Sequence, residues 1–305
     1  MSGGRTGYYW MRDRWHVRAG EWLLFALAMS VRALTGWLPV RRAAEAAAPV
    51  GALGARLVPA FRRRAAENLA RVWPDRPEAE RRRILAGSGA HFARLGVEYA
   101  HLGRWAREVE LEIEGAEHLP SGRPAVLVTA HYGNWEAIRL AARRLGTECG
   151  IIYRPFNNRY LDRFTLGHIA QLGEPVLHKG RTGMRALRAH LSAGGTALIL
   201  VDQRNSGAPF LPFLGHPAET VTVAASLAAA TGAALVPAVG RRGPGGRRFT
   251  VRFEPPVEAA DPEAAMTAVN ARIGAWIEAA PEQWFWFHRR WRATGRSRNR
   301  GTGAR

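Results

Sequence analysis

Cysteine is nearly absent from this chain, because Cys149 is the only one in 305 residues. An intrachain disulfide is therefore impossible, and a reducing or cytosol-facing location is the simpler expectation. Cys149 stands beside Gly150 at the start of an apolar run, where a small buried thiol is expected more often than a reactive one.

Several catalytic motifs are also missing. The chain has no G-x-S-x-G nucleophile turn, no G-x-x-x-x-G-K-[ST] phosphate loop, no H-E-x-x-H pair and no cysteine/histidine cluster with zinc spacing. These absences disfavour a metal enzyme or a P-loop enzyme, and no cofactor is expected. Without an evident covalent nucleophile, direct attack of an acceptor group on an activated substrate is the simplest chemistry.

Acidic residues are scarce relative to basic ones. The sequence has 25 Asp and Glu against 44 Lys and Arg, a net charge of +19, and a pI near 11.5. Nearly all of the basic residues are arginines, and Lys179 is the only lysine. A surface this basic is expected to meet acidic or phosphate-rich partners, namely nucleic acid, anionic lipid or an acidic carrier protein.

An apolar segment near the amino end is about as long as a bilayer is wide. Arginines flank it on both sides, and it carries tryptophans near both ends, where interfacial anchors are placed. We expect a basic segment at 1–18 and then a membrane-anchoring helix at 19–40 that either spans the bilayer or lies in its interface. A core helix is the alternative, because Glu21 and Arg32 interrupt the apolar run.

The rest of the chain divides into a helical region at 41–108 and an alternating region at 109–292. Alternation of short apolar runs with helical stretches predicts an α/β domain with a mostly parallel sheet flanked by helices. The strands are predicted at 109–114, 124–130, 148–153, 196–201, 233–239 and 248–254. The helices of this domain are predicted at 134–145, 158–172, 182–192, 220–231 and 262–279. Residues 293–305 are rich in Gly, Arg and Ser and are expected to form a disordered basic tail.

An imidazole and a carboxylate stand five positions apart where a predicted strand runs into a predicted helix. Asn134 is in the position of the helix N-cap. If Gly133 turns the chain, His131 stands at the carboxyl end of the strand and Glu136 projects back toward it from the first helical turn. A carboxylate that holds the imidazole tautomer leaves the other ring nitrogen to take a proton from an attacking hydroxyl, as acyl transfer requires. A structural histidine beside a carboxylate is the alternative, and the spacing alone favours it.

Two further charged residues follow another predicted strand. Asp202 ends an apolar strand before a Gly/Pro-rich loop, where it either orients a basic site residue or caps a turn. Arg204 in the same loop is a candidate phosphate contact, with a solvated loop charge as the alternative. Ligands of α/β folds collect beyond the carboxyl ends of the strands, which is also where His131 is predicted.

The segment HYGNWE at 131–136 resembles the His-x4-Asp/Glu motif of the glycerolipid acyltransferase superfamily, and in particular the late acyltransferases of lipid A biosynthesis. The wider superfamily more often has Asp where this chain has Glu136. Further blocks that resemble this family cover nearly the whole chain, in the expected order. They are Asn68-Leu69 with Trp73-Pro74, Tyr153-Arg154-Pro155 with Asn157-Asn158, Val201-Asp202-Gln203 with Pro212-Phe213 and Gly215, Leu235-Val236-Pro237, and the closing PEQWFWFHRRW at 281–291.

This resemblance implies an acyltransferase at the inner membrane with its active site on the cytoplasmic side. It implies transfer of a fatty acyl chain from acyl-carrier protein, an acidic partner, to a hydroxyl of a phosphorylated glycolipid, the lipid A precursor, beside anionic membrane lipid. His131 is then the general base, Glu136 orients it, and Arg154 binds phosphate or stabilises oxyanion charge, with a surface arginine as the alternative. The predicted substrate-binding residues are Asn134, Arg154, Asp202 and Arg204.

Three rival interpretations stay open. A related acyltransferase acting on another polar lipid, such as a phosphatidylinositol mannoside or ornithine lipid, carries similar motifs and can use acyl-CoA as its donor. A nucleic-acid-binding protein would explain the charge, but the arginines are spread along the chain and no aromatic-and-basic recognition motif is present, so no nucleic-acid partner is expected. An inactive membrane scaffold would keep the fold, and the intact His131 and Glu136 argue against it.

Overall fold

A computed structural model of the chain describes residues 15–291. The predicted tail at 293–305 and most of the predicted basic segment at 1–18 lie outside the described residues. Within the described range, five helices precede the first strand. They are α1 (Trp15–Thr35), α2 (Val40–Leu57), α3 (Pro59–Val72), α4 (Glu78–Ala100) and α5 (Leu102–Glu108).

Helices α2 and α4 approach each other closely because glycines stand at their contact. A Cβ atom on Gly51 would lie 2.2 Å from the carbonyl oxygen of Gly89, and one on Gly89 would lie 2.3 Å from that of Gly51. A side chain at either position would push the helices apart. This contact positions α4, which carries His91 and Glu98 to the segment described below as the site.

The rest of the described chain forms a seven-stranded sheet and a separate hairpin. The sheet order is β1 (Glu110–Glu114), β9 (Arg248–Phe253), β8 (Ala234–Arg242), β2 (Ala125–Thr129), β5 (Thr196–Leu200), β3 (Cys149–Tyr153) and β4 (Val176–His178). Neighbouring strands are parallel, except that β8 and β9 are antiparallel. The mostly parallel sheet confirms the predicted α/β class.

The structure adds three strands to the six predicted. β4 is three residues long and follows Pro175, so its apolar run is too short to be recognised in sequence. The hairpin of β6 (Phe210–Phe213) and β7 (His216–Glu219) contains Pro212 and Pro217, which disfavour strand assignment. In both cases pairing with a neighbouring strand, and not local hydrophobicity, makes the segment extended.

Helices cover both faces of the sheet. They are α6 (Trp135–Arg144), α7 (Arg159–Ile169), α8 (Arg181–Ser192), α9 (Val223–Thr231) and α10 (Pro262–Ala279). Helices α5, α6 and α7 pack on one face, and α8, α9 and α10 pack on the other. β2 contributes to both cores, because Ala125 and Leu127 face the first group while Val126 and Val128 face the second.

The structure does not support a membrane span for the anchoring helix predicted at 19–40. Among the described helices, none is long and apolar enough to cross a membrane. The polar residues that interrupt the apolar run make contacts with the rest of the protein. Glu21 forms an ion pair with Arg159 of α7 (Oε2 to Nε, 3.0 Å), and Arg32 Nε donates to a carbonyl oxygen at the end of α4 (2.8 Å). α1 therefore lies along the domain, held by its polar side.

Candidate active site

The turn between β2 and α6 presents His131 at the carboxyl edge of the sheet. β2 ends at Thr129, and Gly133 adopts φ = +57°. A Cβ atom at Gly133 would lie 2.0 Å from the carbonyl oxygen of Gly240, so only glycine fits this turn. α6 begins directly after Asn134, whose side chain caps it by accepting a backbone N–H of the first turn (3.0 Å). The predicted strand, turn and cap are confirmed.

A buried carboxylate holds the ring of His131. Asp202 follows β5, which runs parallel to β2, so the two residues meet at one edge although 71 positions separate them. Asp202 Oδ1 lies 2.7 Å from His131 Nδ1, and Asp202 Oδ2 accepts from the His131 backbone N–H (3.0 Å) and from Trp284 Nε1 (2.8 Å). Because an ionised carboxylate only accepts hydrogen bonds, this contact places a ring proton on Nδ1 and leaves the lone pair on Nε2.

Asp202 stays ionised in this environment. Its side chain is 4% exposed, and burial by itself raises the pKa of a carboxyl group. The charge of His131 and the hydrogen bonds from His131 and Trp284 outweigh burial and lower the pKa of Asp202 to about 2. A carboxylate that remains charged stabilises the imidazolium formed when His131 takes up a proton. The pair has the geometry of a general base and its orienting carboxylate.

The other side of the imidazole is reachable from solvent. Trp135 and Phe285 flank the ring, with centroid distances of 5.4 and 6.3 Å. The His131 side chain is nevertheless 24% exposed, and its Nε2 lies 3.2 Å from the side-chain nitrogen of Gln203. Among residues 15–291, no group of three or more His, Cys, Asp or Glu side chains is arranged to hold a metal ion.

The predicted contact between Glu136 and His131 is not formed, and this corrects the sequence-based assignment. Glu136 is fully buried, where its Oε2 pairs with Arg139 Nη1 (2.7 Å) and its Oε1 accepts from the Tyr99 hydroxyl (2.8 Å). The first turn of α6 directs Glu136 toward the helices that cover the sheet and away from the edge where His131 stands. In the structure, the carboxylate at the imidazole is that of Asp202.

Arg139 links Glu136 to the rest of the domain. Its guanidinium is also fully buried and donates to the carbonyl oxygens of Cys149 (3.0 Å), Ile169 (3.2 Å) and Gly173. The ion pair therefore joins α6, β3 and the segment after α7. Cys149 is itself buried, as predicted, and burial raises the pKa of its thiol to about 12.

Asn134 is inaccessible to a substrate, which corrects its prediction as a binding residue. Its side chain is fully buried, and its Nδ2 donates to Glu98 Oε2 (3.0 Å) while its oxygen caps α6. Glu98 pairs with Arg242 (Oε2 to Nη2, 2.8 Å), and His91 Nε2 lies 3.0 Å from the carbonyl oxygen of Gly133. Burial and the charge of Arg242 lower the pKa of His91 to about 3, so this ring is neutral. These buried hydrogen bonds therefore join α4 and β8 to the turn between β2 and α6 and hold the turn in place.

The two predicted arginines differ in their surroundings. Arg154 follows β3 at the same edge and is exposed. The guanidinium of Arg204 pairs with Glu219 and donates to Ser206 Oγ (3.0 Å), while its backbone N–H donates to His288 Nε2 (3.0 Å). Arg154 is therefore the more accessible of the two to an anionic ligand, because Arg204 already has a carboxylate partner.

The closing segment at 281–291 lies against the site, a placement that the sequence did not predict. Backbone hydrogen bonds of 3.0 Å join it to His131 and to Gly133, and Trp284 supplies the third donor to Asp202. Trp284 is itself buried. The several tryptophans of this segment could have marked it in the sequence as structurally or functionally significant. No local pattern, however, shows which indole donates to the Asp202 carboxylate.

Comparison with known proteins places this site in a family context. Residues 11–293 match the family described as bacterial lipid A biosynthesis acyltransferase. The lipid A biosynthesis lauroyltransferase of Escherichia coli (strain K12) is 30% identical over 250 residues, which cover 74% of this chain and 77% of that protein. A lipid A biosynthesis acyltransferase of Haemophilus influenzae is 23% identical over 236 residues, 74% of each chain. The solved 1-acyl-sn-glycerophosphate acyltransferase of Thermotoga maritima matches with a TM-score of 0.37 and 15% identity, covering 70% of this chain and 88% of that one.

Proposed function

Because the chain belongs to the bacterial lipid A biosynthesis acyltransferase family, we propose that it transfers a fatty acyl chain from a thioester donor to a hydroxyl of a lipid A precursor. The observation that carries this proposal is the pair formed by His131 and Asp202. A buried carboxylate holds Nδ1 of the imidazole and leaves Nε2 to act on a hydroxyl. The exposed Arg154 at the same edge suits a phosphate of the acceptor.

One addition and one elimination account for the transfer. His131 Nε2 removes the proton of the acceptor hydroxyl while the hydroxyl oxygen bonds to the thioester carbonyl carbon and the carbonyl π electrons move onto oxygen. Asp202 stabilises the resulting imidazolium. The carbonyl then re-forms, the C–S bond breaks, and the imidazolium proton passes to the leaving thiolate. This sequence restores neutral His131 and requires no acyl-enzyme.

An uncompensated basic stripe beside the site supports an acidic donor. Lys179 follows β4, and Arg181, Arg185 and Arg188 lie on one exposed side of α8. None of the four forms an ion pair with another residue of the described chain, and the sequence has no Asp or Glu in 175–201. The three arginines extend about 10 Å along the helix, which suits the surface of acyl-carrier protein better than the compact phosphates of acyl-CoA.

Reversing one charge of this stripe is expected to weaken use of the carrier-bound donor. In Arg185→Glu, we expect kcat/KM for acyl-carrier protein thioester to fall about tenfold, mainly through KM, and its salt dependence to become weaker. The same change in Arg123→Glu, an exposed arginine just before β2 at the opposite edge of the sheet, is the matched control. Steady-state kinetics at two ionic strengths measure the effect. Equal losses in the two variants would speak against a donor surface on α8.

The outer side of α1 supports binding to a membrane surface. Leu23, Leu27, Val31 and Leu34 share one side of the helix, and each is between 48% and 72% exposed. The opposite side of α1 packs on α7 through Phe25. An apolar helix face on a strongly basic protein is the combination that binds an anionic bilayer interface. We propose that the enzyme acts at the inner membrane, with its site on the cytoplasmic side.

The double variant Leu23→Ser/Leu27→Ser is expected to bind vesicles containing anionic lipid at least tenfold more weakly than the wild type. Each leucine that inserts into the apolar part of the bilayer contributes about 1.5–3 kcal/mol to binding through the removal of its side chain from water. Both positions are exposed, so the fold and its thermal stability are expected to remain. Vesicle co-sedimentation measures binding, and Phe210→Ser, an exposed aromatic on the hairpin, is the control. Unchanged binding of the double variant would exclude this face of α1 as the contact.

Mass spectrometry of lipids tests the proposed function itself. Lipid A and glycerolipids are compared between cells with the gene, without it, and with the gene encoding His131→Ala. Loss of one secondary acyl chain from lipid A in both defective strains is expected. If lipid A is unchanged and another polar lipid lacks an acyl chain, that lipid would be the acceptor of the same acyl transfer. Unchanged lipids throughout would contradict acyl transfer.

A further inference from the structure

The side chain of Gln203 occupies the place from which an acceptor hydroxyl must approach His131. Its Nε2 lies 3.2 Å from His131 Nε2. Asp202 holds the proton of the imidazole on Nδ1, so the ring nitrogen that faces Gln203 carries the lone pair and the amide N–H donates to it. In the described chain this is the one hydrogen bond of the Gln203 side chain. Both neighbours of Gln203 are held by hydrogen bonds, because the Asp202 carboxylate accepts from His131 and the Arg204 backbone N–H donates to His288.

The reaction needs a hydrogen-bond donor for the thioester carbonyl oxygen, which becomes negatively charged when the hydroxyl adds. Backbone N–H groups often supply such donors, but three of those around His131 already have acceptors. The N–H of His131 donates to Asp202, that of Gly133 to the Gln283 carbonyl oxygen (3.0 Å), and that of Asn134 to the Gly240 carbonyl oxygen (2.8 Å). These three groups are therefore taken, and a side chain next to the imidazole is well placed to supply the donor.

We infer that Gln203 is a catalytic residue: its carboxamide yields the position at His131 Nε2 to the acceptor hydroxyl and donates its N–H to the thioester carbonyl oxygen. This inference rests on the proposed acyl transfer. A hydroxyl oxygen bound to Nε2 lies about 2.8 Å from it, and the carbonyl carbon lies about 3 Å beyond that oxygen before attack. An amide nitrogen that starts 3.2 Å from the same Nε2 reaches the carbonyl oxygen by side-chain rotation with the backbone fixed.

Three substitutions test this role in the full-length enzyme, with acyl-carrier protein thioester and lipid A precursor in micelles. Gln203→Ala is expected to lower kcat about 10²-fold and to change KM less than threefold. The reason is that the hydrogen bond from Gln203 to the carbonyl oxygen is strong only in the transition state, when that oxygen becomes negatively charged. Gln203→Glu keeps the size but replaces the donor by an anion that stabilises the imidazolium. We expect the acidic limb of its pH profile for kcat to move upward by about one pH unit or more. Asn205→Ala removes an exposed amide from the same loop and is expected to retain wild-type kinetics.

The outcomes separate this inference from the proposed function. Active wild type, inactive His131→Ala and a Gln203→Ala variant within threefold of wild-type kcat would overturn the role of Gln203 and leave the proposed function standing. A rise of KM at unchanged kcat would also overturn it, because Gln203 would then bind the ground state. No transfer by the wild-type enzyme would overturn both. An unmoved pH profile in Gln203→Glu would contradict the placement of the carboxamide at His131 Nε2.

Discussion

Replacing Asp202 with Asn is expected to lower kcat by about 10³–10⁴. The carboxylate accepts three hydrogen bonds, one from His131 Nδ1 at Oδ1 and two at Oδ2 from the His131 backbone N–H and Trp284 Nε1. An amide has one acceptor oxygen, which the two fixed N–H groups will hold. Its NH₂ group then donates to Nδ1, so the ring proton moves to Nε2 and the imidazole cannot accept the hydroxyl proton.

Steady-state kinetics and thermal melting of the same preparations test this effect. His131→Ala is expected to lose about 10²–10⁴ in kcat, and the double variant is expected to be no worse than the weaker single variant, because the two residues act as a unit. The pKa of Asp202 is lowered to about 2, so the wild-type carboxylate stays charged through the range in which activity is measured. Asp202→Asn activity within about tenfold of wild type would exclude Asp202 as the orienting group.

Replacing Arg139 with Met is expected to lower the free energy of unfolding by about 3–5 kcal/mol. The substitution leaves the Glu136 carboxylate buried with only the Tyr99 hydroxyl as a partner, and it removes the donors to the carbonyl oxygens of Cys149 and Ile169. A buried carboxylate without its counter-ion is destabilising, because one hydrogen bond does not compensate for the hydration that the charge loses on folding. Urea denaturation followed by circular dichroism measures the loss.

A surface ion pair on another helix is the matched control for this prediction. Arg82 and Glu78 on α4 form a pair with side chains 73% and 67% exposed. Arg82→Met is expected to cost less than about 1 kcal/mol, because solvent screens the pair. Adding Glu136→Gln to Arg139→Met is expected to recover part of the lost stability by removing the unpaired charge. A loss below about 1 kcal/mol in Arg139→Met would show that the buried pair is not a structural support.

The local parts of the site were predictable because they depend on neighbouring residues. The apolar run before His131 predicts β2, and Gly133 is required by the positive φ of the turn. Asn134 caps α6 as its position predicts. The same local view failed for Glu136, because closeness along the chain does not imply that two side chains face each other. A strand end and the first turn of the following helix point to different sides of the sheet.

The sequence by itself determined the α/β class, the strand that carries His131 and the turn that exposes it, because hydrophobic periodicity, glycine and helix capping act over a few residues. Only the tertiary structure decided which carboxylate serves the imidazole. β2 and β5 are paired in parallel, which brings Asp202 to His131 across 71 positions, and the closing segment adds Trp284 from 82 positions farther on. Strand order and the return of the chain end depend on how the whole core packs, and no short pattern records them.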